Sequence, residues 1–133
     1  MKFLVMIYND ASLLDAVPGD EADTMMRHCF ENADAMRADG KLFDSQQLEA
    51  PNTAKTVRVR NGKSTVVDGP FAETKEFLAG FNLIEAENMD EALKLAQAFP
   101  WAGLGSIEVR PVRDMEDVRR RVHQKPPGRA QIT

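Results

Sequence analysis

Three features of the 133-residue chain predict an α+β fold with a four-stranded antiparallel sheet and two helices on one of its faces. Apolar segments of strand length alternate with amphipathic segments of helical spacing, in the order strand, helix, strand, strand, helix, strand. A hairpin is inserted between the second and third of these strands. The hydrophobic content of 43% and the charged content of 29% are ordinary for one soluble globular domain.

The first half of the chain supplies a strand, a helix and a second strand. The apolar run at residues 3–8 is too short for the core of a signal peptide and is predicted to be a buried strand. We place Asp20 as the N-cap of a helix that ends near Asp39. Apolar side chains recur along one face of that helix at Ala22, Met26, Cys29, Ala33 and Met36. A second strand is predicted at residues 42–48.

The hairpin is predicted from residues 56–60 and 64–67, which flank Asn61-Gly62. Both turn residues tolerate the positive φ angles of a type I′ turn. In this register Val57 pairs with Val66, and two like charges face each other at the tip. Pro70 lacks the N–H that would close a second tight turn, so we expect a wide loop that lasts until Gly80.

The second half repeats the pattern of strand, helix and strand. A third strand is predicted at residues 81–86, and Asn88 followed by Glu91 is typical of a helix start. That helix is expected to end at Phe99, before Pro100. A last strand at residues 106–110 completes a ferredoxin-like plan. The second face of such a sheet carries alternate apolar residues without covering helices, so a homodimer is predicted.

The charge distribution divides the chain into two parts. All 21 acidic residues lie at or before Asp117, whereas five of the 17 basic residues follow it. We predict one domain at residues 1–112 and a charged C-terminal extension at residues 113–133 that begins as a short helix and is partly disordered. The arginines at 119–121 are expected to dock on the acidic body or on a second subunit. Nucleic-acid binding is not expected, because the acidic body would repel phosphates.

Several function classes are excluded or disfavoured. No P-loop, dinucleotide-binding, zinc-protease or serine-hydrolase motif is present. Two histidines and one cysteine do not suggest a metal site, and no cofactor is predicted. The single cysteine cannot form an internal disulfide, and no apolar segment reaches the length of a membrane span. A cytoplasmic protein without a membrane partner is therefore predicted.

The sequence at residues 68–81, Asp-Gly-Pro-Phe-Ala-Glu-Thr-Lys-Glu-Phe-Leu-Ala-Gly-Phe, resembles the signature of the DGPF branch of the YCII-related family. Gly-Ser-Ile-Glu-Val-Arg-Pro at residues 105–111 follows at the distance that this family shows. The resemblance covers residues 1–112 and implies a ferredoxin-like, dimeric α+β barrel. It also implies a loose genomic association with alternative sigma factors, while most members of the family have no characterised activity.

A related branch of this family contains a dehydrochlorinase, which pairs a histidine on the first helix with an aspartate just before the proline that follows the second helix. His28 matches the place of that histidine. Phe99 occupies the place of the aspartate, before Pro100, so the resemblance does not carry this dyad over intact.

Five residues are candidates for a functional site. His28 and Asp68 are predicted as a catalytic pair, in which the carboxylate orients the imidazole as a base. Arg58, Glu73 and Lys75 are predicted to bind a ligand. Each also has a structural interpretation. His28 then makes a boundary hydrogen bond, Asp68 stabilises its own turn, and the other three form solvated or subunit-bridging charges.

The leading hypothesis is therefore a small dimer that binds a small polar or aromatic molecule in a cleft between sheet and helix, near the DGPF loop, with weak lyase- or hydrolase-like chemistry. The alternative is a non-catalytic regulatory or interaction module linked to sigma-factor-type transcription regulation. Convergence of Asp68 with His28 or Lys75 in a pocket would favour the enzyme. A His28 that lies outside every cavity would favour the binding module.

Overall fold

The structure is a computed structural model that describes residues 1–124. Its helices are α1 (Ala11–Asp15), α2 (Gly19–Ala38), α3 (Met89–Gln97) and α4 (Met115–His123). Its strands are β1 (Lys2–Asp10), β2 (Leu42–Gln47), β3 (Lys55–Arg60), β4 (Lys63–Asp68), β5 (Glu76–Glu85) and β6 (Gly105–Pro111). The disorder predicted for the C-terminal extension falls partly on residues 125–133, which lie outside the described residues.

Four strands form one antiparallel sheet in the order β2-β5-β1-β6, and β3 and β4 form a separate two-stranded sheet. The two long strands β1 and β5 lie at the centre, where each is paired on both sides. This order is compatible with the ferredoxin-like plan, and the predicted α+β fold with antiparallel strands is confirmed.

The core lies between this sheet and the helices α2 and α3. Alternate residues of β1 point to the same face of the sheet, and Phe3 and Val5 are 1% and 0% exposed on that face. Ile84 of β5 lies opposite Phe3 and is also 0% exposed. Met36 of α2 and small residues of α3 close this apolar cluster. Burial of these side chains supplies most of the free energy that holds the helices on the sheet.

The opposite face of the sheet carries a second apolar surface, which we call the open face. Its central residues are half-buried and come from the two central strands: Leu4, Met6, Tyr8, Phe81 and Leu83. Polar residues of β6 and β2 lie at its margins. Glu108 lies beside Met6, and Arg110 lies beside Leu4.

The predicted start of α2 is wrong by two residues. The helix begins at Gly19 with Pro18 as its N-cap, so Asp20 lies inside the first turn instead of capping it. An acidic side chain is favourable there, because it interacts with the positive end of the helix dipole. The short helix α1 was not predicted, because five residues are too few to show helical periodicity. Asp10 caps it by accepting a hydrogen bond from the Ser12 backbone.

The predicted start of α3 is confirmed, since the Asn88 side chain accepts a hydrogen bond from the Glu91 backbone N–H. The prediction for β5 is wrong at its start. The strand begins at Glu76, where a loop was expected until Gly80, because β1 pairs with it as far as Asp10. A register shift between Ile7 and Tyr8 absorbs one extra residue of β5.

The hairpin agrees with its prediction. Val57 pairs with Val66, Arg60 faces Lys63, and the turn residues Asn61 and Gly62 have φ angles of 53° and 76°. Apart from the half-buried Thr56, every residue of β3 and β4 is exposed. The hairpin is therefore a projecting arm and not part of the core.

The C-terminal extension continues as a helix beyond β6. Asp114 caps α4 by accepting hydrogen bonds from the backbone N–H groups of Glu116 and Asp117. Arg119 pairs with Glu116 and Arg120 pairs with Asp117, so both arginines have acidic neighbours one turn away on the same helix. Docking of these arginines on the body stays a prediction.

Candidate functional site

A cavity of about 130 Å³ lies between α2 and the sheet, at the end of β1 that is farther from the apolar core. The helix contributes Met26, Cys29, Phe30 and Ala33, which follow one another at the spacing of a single helix face. The turn after α3 contributes Trp101. These five side chains form a largely apolar wall.

The sheet side of the cavity is polar. Its main lining residues come from three adjacent strands: Asn9 of β1, Ser45 and Gln47 of β2, and Asn82 of β5. Asn9 and Asn82 are each 5% exposed, which is unusual for amide side chains. The cavity thus combines an apolar wall with a small number of buried polar groups, which is the usual composition of a small-molecule site.

The side-chain oxygen of Asn9 is buried close to this cavity. Its Oδ1 is fully buried and accepts no hydrogen bond from the described residues. A buried amide oxygen without a donor costs about 1–3 kcal/mol of stability, so such groups are rare in folded proteins. The end of β1 therefore holds a buried amide oxygen that no described residue satisfies.

The cavity exists because small residues meet at this position. Gly80 has no side chain, and Ala33 and Ser45 have short ones, whereas the equivalent level of the core is filled by phenylalanine, isoleucine and methionine. A Cβ on Gly80 would lie 2.7 Å from the backbone oxygen of Gln46, so the close approach of β2 to β5 requires glycine here.

Asp10, the neighbour of Asn9, lies in the opposite situation. Its carboxylate is 8% exposed and accepts hydrogen bonds from the Ser12 hydroxyl at 2.6 Å and from the Ser12 backbone at 2.9 Å. The Ser12 hydroxyl is the largest cause that holds the pKa of Asp10 below its usual value, and Lys75 at 3.6 Å acts in the same direction. The Asp10 carboxylate therefore has a structural role as the cap of α1.

The predicted catalytic pair is not joined in this structure. His28 is exposed on α2 and lines neither the cavity beneath this helix nor a second cavity at the start of β2. Asp68 is exposed at the end of β4 and pairs with Lys55 across the hairpin. Among residues 1–124, no ion pair joins Asp68 to His28 or to Lys75.

The three residues predicted to bind a ligand are also apart from one another. Arg58 is exposed on the projecting hairpin, and Glu73 is exposed on the loop that leads to β5. Lys75 reaches Asp10 and is 83% exposed. Their roles in binding stay predictions.

The second cavity, of about 160 Å³, lies where the start of β2 meets α3. Four of its ionised groups form two ion pairs. Glu91 accepts a hydrogen bond from Lys41, which raises the pKa of Lys41 and lowers that of Glu91, and the amino terminus pairs with Glu85 at 3.3 Å. These contacts connect the ends of strands and a helix, so this cavity has a structural explanation.

Sequence reasoning missed Asn9, Asn82 and Asp10, although one signal for Asn9 was present. Asn9 follows Phe3, Val5 and Ile7 at intervals of two, so the alternation of β1 carries it to the buried face. The strand was predicted to end at residue 8, and this boundary hid the signal. Asn82 carried the same signal, because it precedes Ile84 and Ala86 at intervals of two within the strand predicted at residues 81–86.

Two further properties of residues 1–124 concern metal binding and membrane insertion. No cluster of three histidine, cysteine or carboxylate side chains in residues 1–124 has the arrangement that a metal ion needs. In the same part of the chain, no helix combines the length and the apolar character needed to span a membrane.

The fold and the cavity define a small α+β domain with a space of about 130 Å³ beneath its longest helix. Comparison with related sequences identifies the family. A family model for the YCII-related domain matches residues 1–116. An uncharacterized protein of Rhizobium meliloti (strain 1021) is 40% identical over 114 residues, which cover 84% of this chain and 92% of that protein. The chain belongs to the YCII-related family, as the resemblance of residues 68–81 and 105–111 indicated.

Proposed function

We propose that this protein binds a small molecule in the cavity between α2 and the sheet. The observation that carries the proposal is the composition of this cavity, in which apolar side chains of α2 and Trp101 lie opposite polar residues of three adjacent strands. Two of these polar residues, Asn9 and Asn82, are each only 5% exposed. An apolar wall with a few polar groups that orient a ligand is typical of small-molecule sites.

A thermal-shift screen tests this proposal. Wild type and the variant Asn9→Leu are heated with a panel of neutral, anionic and cationic metabolites. A compound that raises the Tm of wild type but not of Asn9→Leu supports binding in this cavity. His28→Ala and Asp68→Ala serve as matched controls and are expected to keep the response. If every stabilising compound acts equally on wild type and Asn9→Leu, the cavity is not the site.

The catalytic roles of His28 and Asp68, and with them lyase- or hydrolase-like chemistry near the DGPF loop, stay predictions. What supports them is the resemblance of residues 68–81 to the DGPF branch and the position of His28 on α2. Loss of the thermal response in His28→Ala or Asp68→Ala would move the proposed site towards the DGPF loop.

We also propose that the protein is a cytoplasmic homodimer whose two copies meet through the open face. The apolar centre of that face is supplied by β1 and β5, and both signs of charge stand at its margins, with Arg110 on β6 and Asp44 on β2. A two-fold interface uses the same patch twice, and an apolar centre with a polar rim suits that geometry. The free thiol of Cys29 is consistent with a reducing compartment.

Sedimentation of a charged variant tests the dimer. Phe81→Asp places a carboxylate at the centre of the open face and is expected to yield a monomer. Glu108→Gln changes the margin of the same face and is expected to remain a dimer. A folded Phe81→Asp that still sediments with the mass of wild-type dimer would contradict this interface.

The alternative function, a non-catalytic interaction or regulatory module, is supported by the hairpin arm. One side of the arm carries exposed valines at 57, 59 and 66, and the other carries Arg58, Arg60 and Lys63. On this hypothesis the double variant Val57→Ser with Val66→Ser keeps the Tm and the sedimentation coefficient of wild type. A change in either would assign the arm to the protein's own assembly.

A further inference from the structure

We infer that the hairpin arm, residues 55–68, crosses to a second copy of the chain and packs its valine face against the body of that copy. By the body we mean residues 1–54 and 69–112. The inference rests on the proposed homodimer and adds a contact to the one made by the open face. Three properties of the arm support it: its two unlike faces, its charge, and its position beside the open face.

The two faces of the arm differ in polarity. Side chains alternate along β3 and β4, so Val57, Val59 and Val66 point to the same face, where Val57 lies opposite Val66. These valines are 63%, 58% and 64% exposed. Alternation of apolar and polar residues is typical of a strand with one covered face. Residues 1–124 leave the valine face uncovered, and a second molecule supplies the cover that the pattern requires.

The base of the arm is fixed by hydrogen bonds. The Gly69 backbone N–H donates to the Ala54 oxygen at 2.7 Å, and the Thr56 hydroxyl donates to the Gly69 oxygen at 2.8 Å. From this base the two strands extend about 20 Å. An isolated two-stranded hairpin is at best marginally stable in water. The arm therefore gains order when a surface covers its valine face, and its fixed base lowers the entropy lost on binding.

The charge of the arm is opposite to that of the body. The arm contains four basic side chains and one acidic side chain, which give a net charge of +3. The body contains 17 acidic and 7 basic residues, which give a net charge of −10. Two bodies therefore repel each other, and a basic arm that lies on the second body reduces this repulsion. A second copy of the chain is thus an electrostatically complementary partner for the arm.

Three cations of the arm are available for such a contact. Arg58 and Arg60 lie on the face opposite the valines, and Lys63 pairs with Arg60 beside the turn. In the described part of the chain, no carboxylate forms an ion pair with any of these three side chains. Complementary charges across an interface accelerate association and fix the relative position of the partners.

The arm leaves the sheet beside the open face. It connects the end of β2 with the start of β5, and β5 carries Phe81 and Leu83 on the open face. Leu78, nearer to the arm on the same strand, pairs with Tyr8 and is 39% exposed. The apolar surface of the open face therefore extends along β5 towards the base of the arm. A second copy that covers the open face lies next to that base.

The valine face is tested through the dissociation constant of the dimer, measured by sedimentation equilibrium over a range of protein concentrations. The double variant Val57→Ser with Val66→Ser removes the apolar contact and is expected to raise Kd at least about tenfold. The control, Val57→Ile with Val66→Ile, keeps a β-branched apolar surface and is expected to keep a Kd close to that of wild type. On the interaction-module hypothesis, both double variants keep the wild-type Kd.

The charged face is tested by the same measurement at low and high salt. Arg58→Glu with Arg60→Glu is expected to raise Kd at least about tenfold at low salt, and by less at high salt, where the charges are screened. The control, Arg58→Lys with Arg60→Lys, keeps the charge and is expected to retain the wild-type Kd. An unchanged Kd of the glutamate variant at low salt would contradict the inference.

A photo-cross-linker at Val59 shows which chain the valine face touches. When p-benzoylphenylalanine replaces Val59, irradiation of the dimer is expected to yield a covalent product with twice the mass of the chain. The same probe at Lys94, an exposed position of α3 on the helix side of the sheet, is the control and is expected to yield little of this product. Phe81→Asp, which is expected to separate the two copies, should abolish the product.

The outcomes separate this inference from the proposed dimer. If wild type is a dimer but the serine variant keeps its Kd and Val59 gives no covalent dimer, the arm inference is wrong and the open face alone joins the copies. If the covalent dimer persists in Phe81→Asp, the arm joins the copies and the open face does not. If wild type sediments as a monomer at every concentration, both proposals are wrong.

Discussion

The two ends of the layer between α2 and the sheet differ in what fills them, although the same two strands form the floor of both. At one end Phe3, Val5 and Ile84 are almost completely buried and pack against α2 and α3. At the other end Asn9 takes the corresponding position in β1, and a cavity replaces the packed side chains. Asn82 lies opposite Val5, at the boundary between the two ends. The comparison indicates that close packing stabilises one end of the layer, whereas the side chains around the cavity contribute less to stability.

Two adjacent residues near the cavity, Asp10 and Asn9, differ in whether their buried side-chain oxygens have hydrogen-bond partners. Asp10 is a buried carboxylate whose partners are Ser12 and Lys75, and it caps α1. Asn9, one position earlier and on the other side of the strand, has a buried oxygen without a partner among the described residues.

The largest expected effect is at the packed end. Phe3→Ala removes a fully buried ring and is expected to lower the free energy of unfolding by about 3–5 kcal/mol, since it leaves a cavity in close-packed surroundings. Urea denaturation followed by circular dichroism measures the change. Phe30→Ala, at a position 60% exposed beside the existing cavity, is the matched control and should cost far less. If Phe3→Ala and Phe30→Ala lower the free energy of unfolding equally, the two ends of the layer do not differ in how closely they are packed.

At the cavity end of the layer, a substitution of Asn9 is expected to raise the free energy of unfolding, by a smaller amount. Asn9→Leu removes the unpaired oxygen and fills empty space, so the free energy of unfolding should rise by about 1 kcal/mol. Asn9→Ala removes the same oxygen without filling the space and should give a smaller gain. A clear loss of stability in Asn9→Leu would show that the amide makes a stabilising hydrogen bond in solution.

The stability of the protein should depend on pH through Asp10, which ionises, and not through Asn9, which does not. The pKa of Asp10 is lowered in the folded protein, mainly by the Ser12 hydroxyl, relative to a usual value of 3.8. Its contribution to stability is therefore present above that value and is lost as the pH falls through the lower folded pKa. Ser12→Ala should reduce this acid-side loss in a series of denaturation curves between pH 6 and the acid limit.

The control for the pH series is Asp15→Asn, at an exposed position at the end of α1. It should leave the difference between wild type and Ser12→Ala unchanged. If Ser12→Ala loses stability equally at all pH values, the hydroxyl acts through packing or helix capping alone and not through ionisation of Asp10.

The smallest effects are expected at the two residues predicted as a catalytic pair. His28→Ala and Asp68→Ala alter exposed side chains away from both ends of the helix–sheet layer, and each should change the free energy of unfolding by less than about 0.5 kcal/mol. Chemical denaturation of the two variants checks this. A larger loss at either position would reveal contacts that the single chain does not make, such as contacts across a dimer.

The sequence by itself determined the order of the strands and of the longer helices, although it did not show the short helix α1 or the first residues of β5. Periodicity indicated the strands and the long helix, Asn61-Gly62 indicated the hairpin turn, and Asn88 indicated the start of α3. These signals are local, because backbone geometry and helix capping depend on residues a few positions apart. The family was recognisable for a related reason, since its signature is one continuous segment at residues 68–81.

The tertiary structure alone decided where the unsatisfied acceptor and the cavity lie. Asn9, Ser45 and Asn82 come from three strands, Cys29 from a helix and Trp101 from a turn, and no spacing in the chain relates them. Strand pairing brings β2 next to β5 and β5 next to β1, and only then do small residues leave a space. Burial and hydrogen-bond satisfaction depend on neighbours in space and are not visible in the sequence. The prediction therefore named His28 and Asp68, whose residue types are common in catalysis, and did not name Asn9.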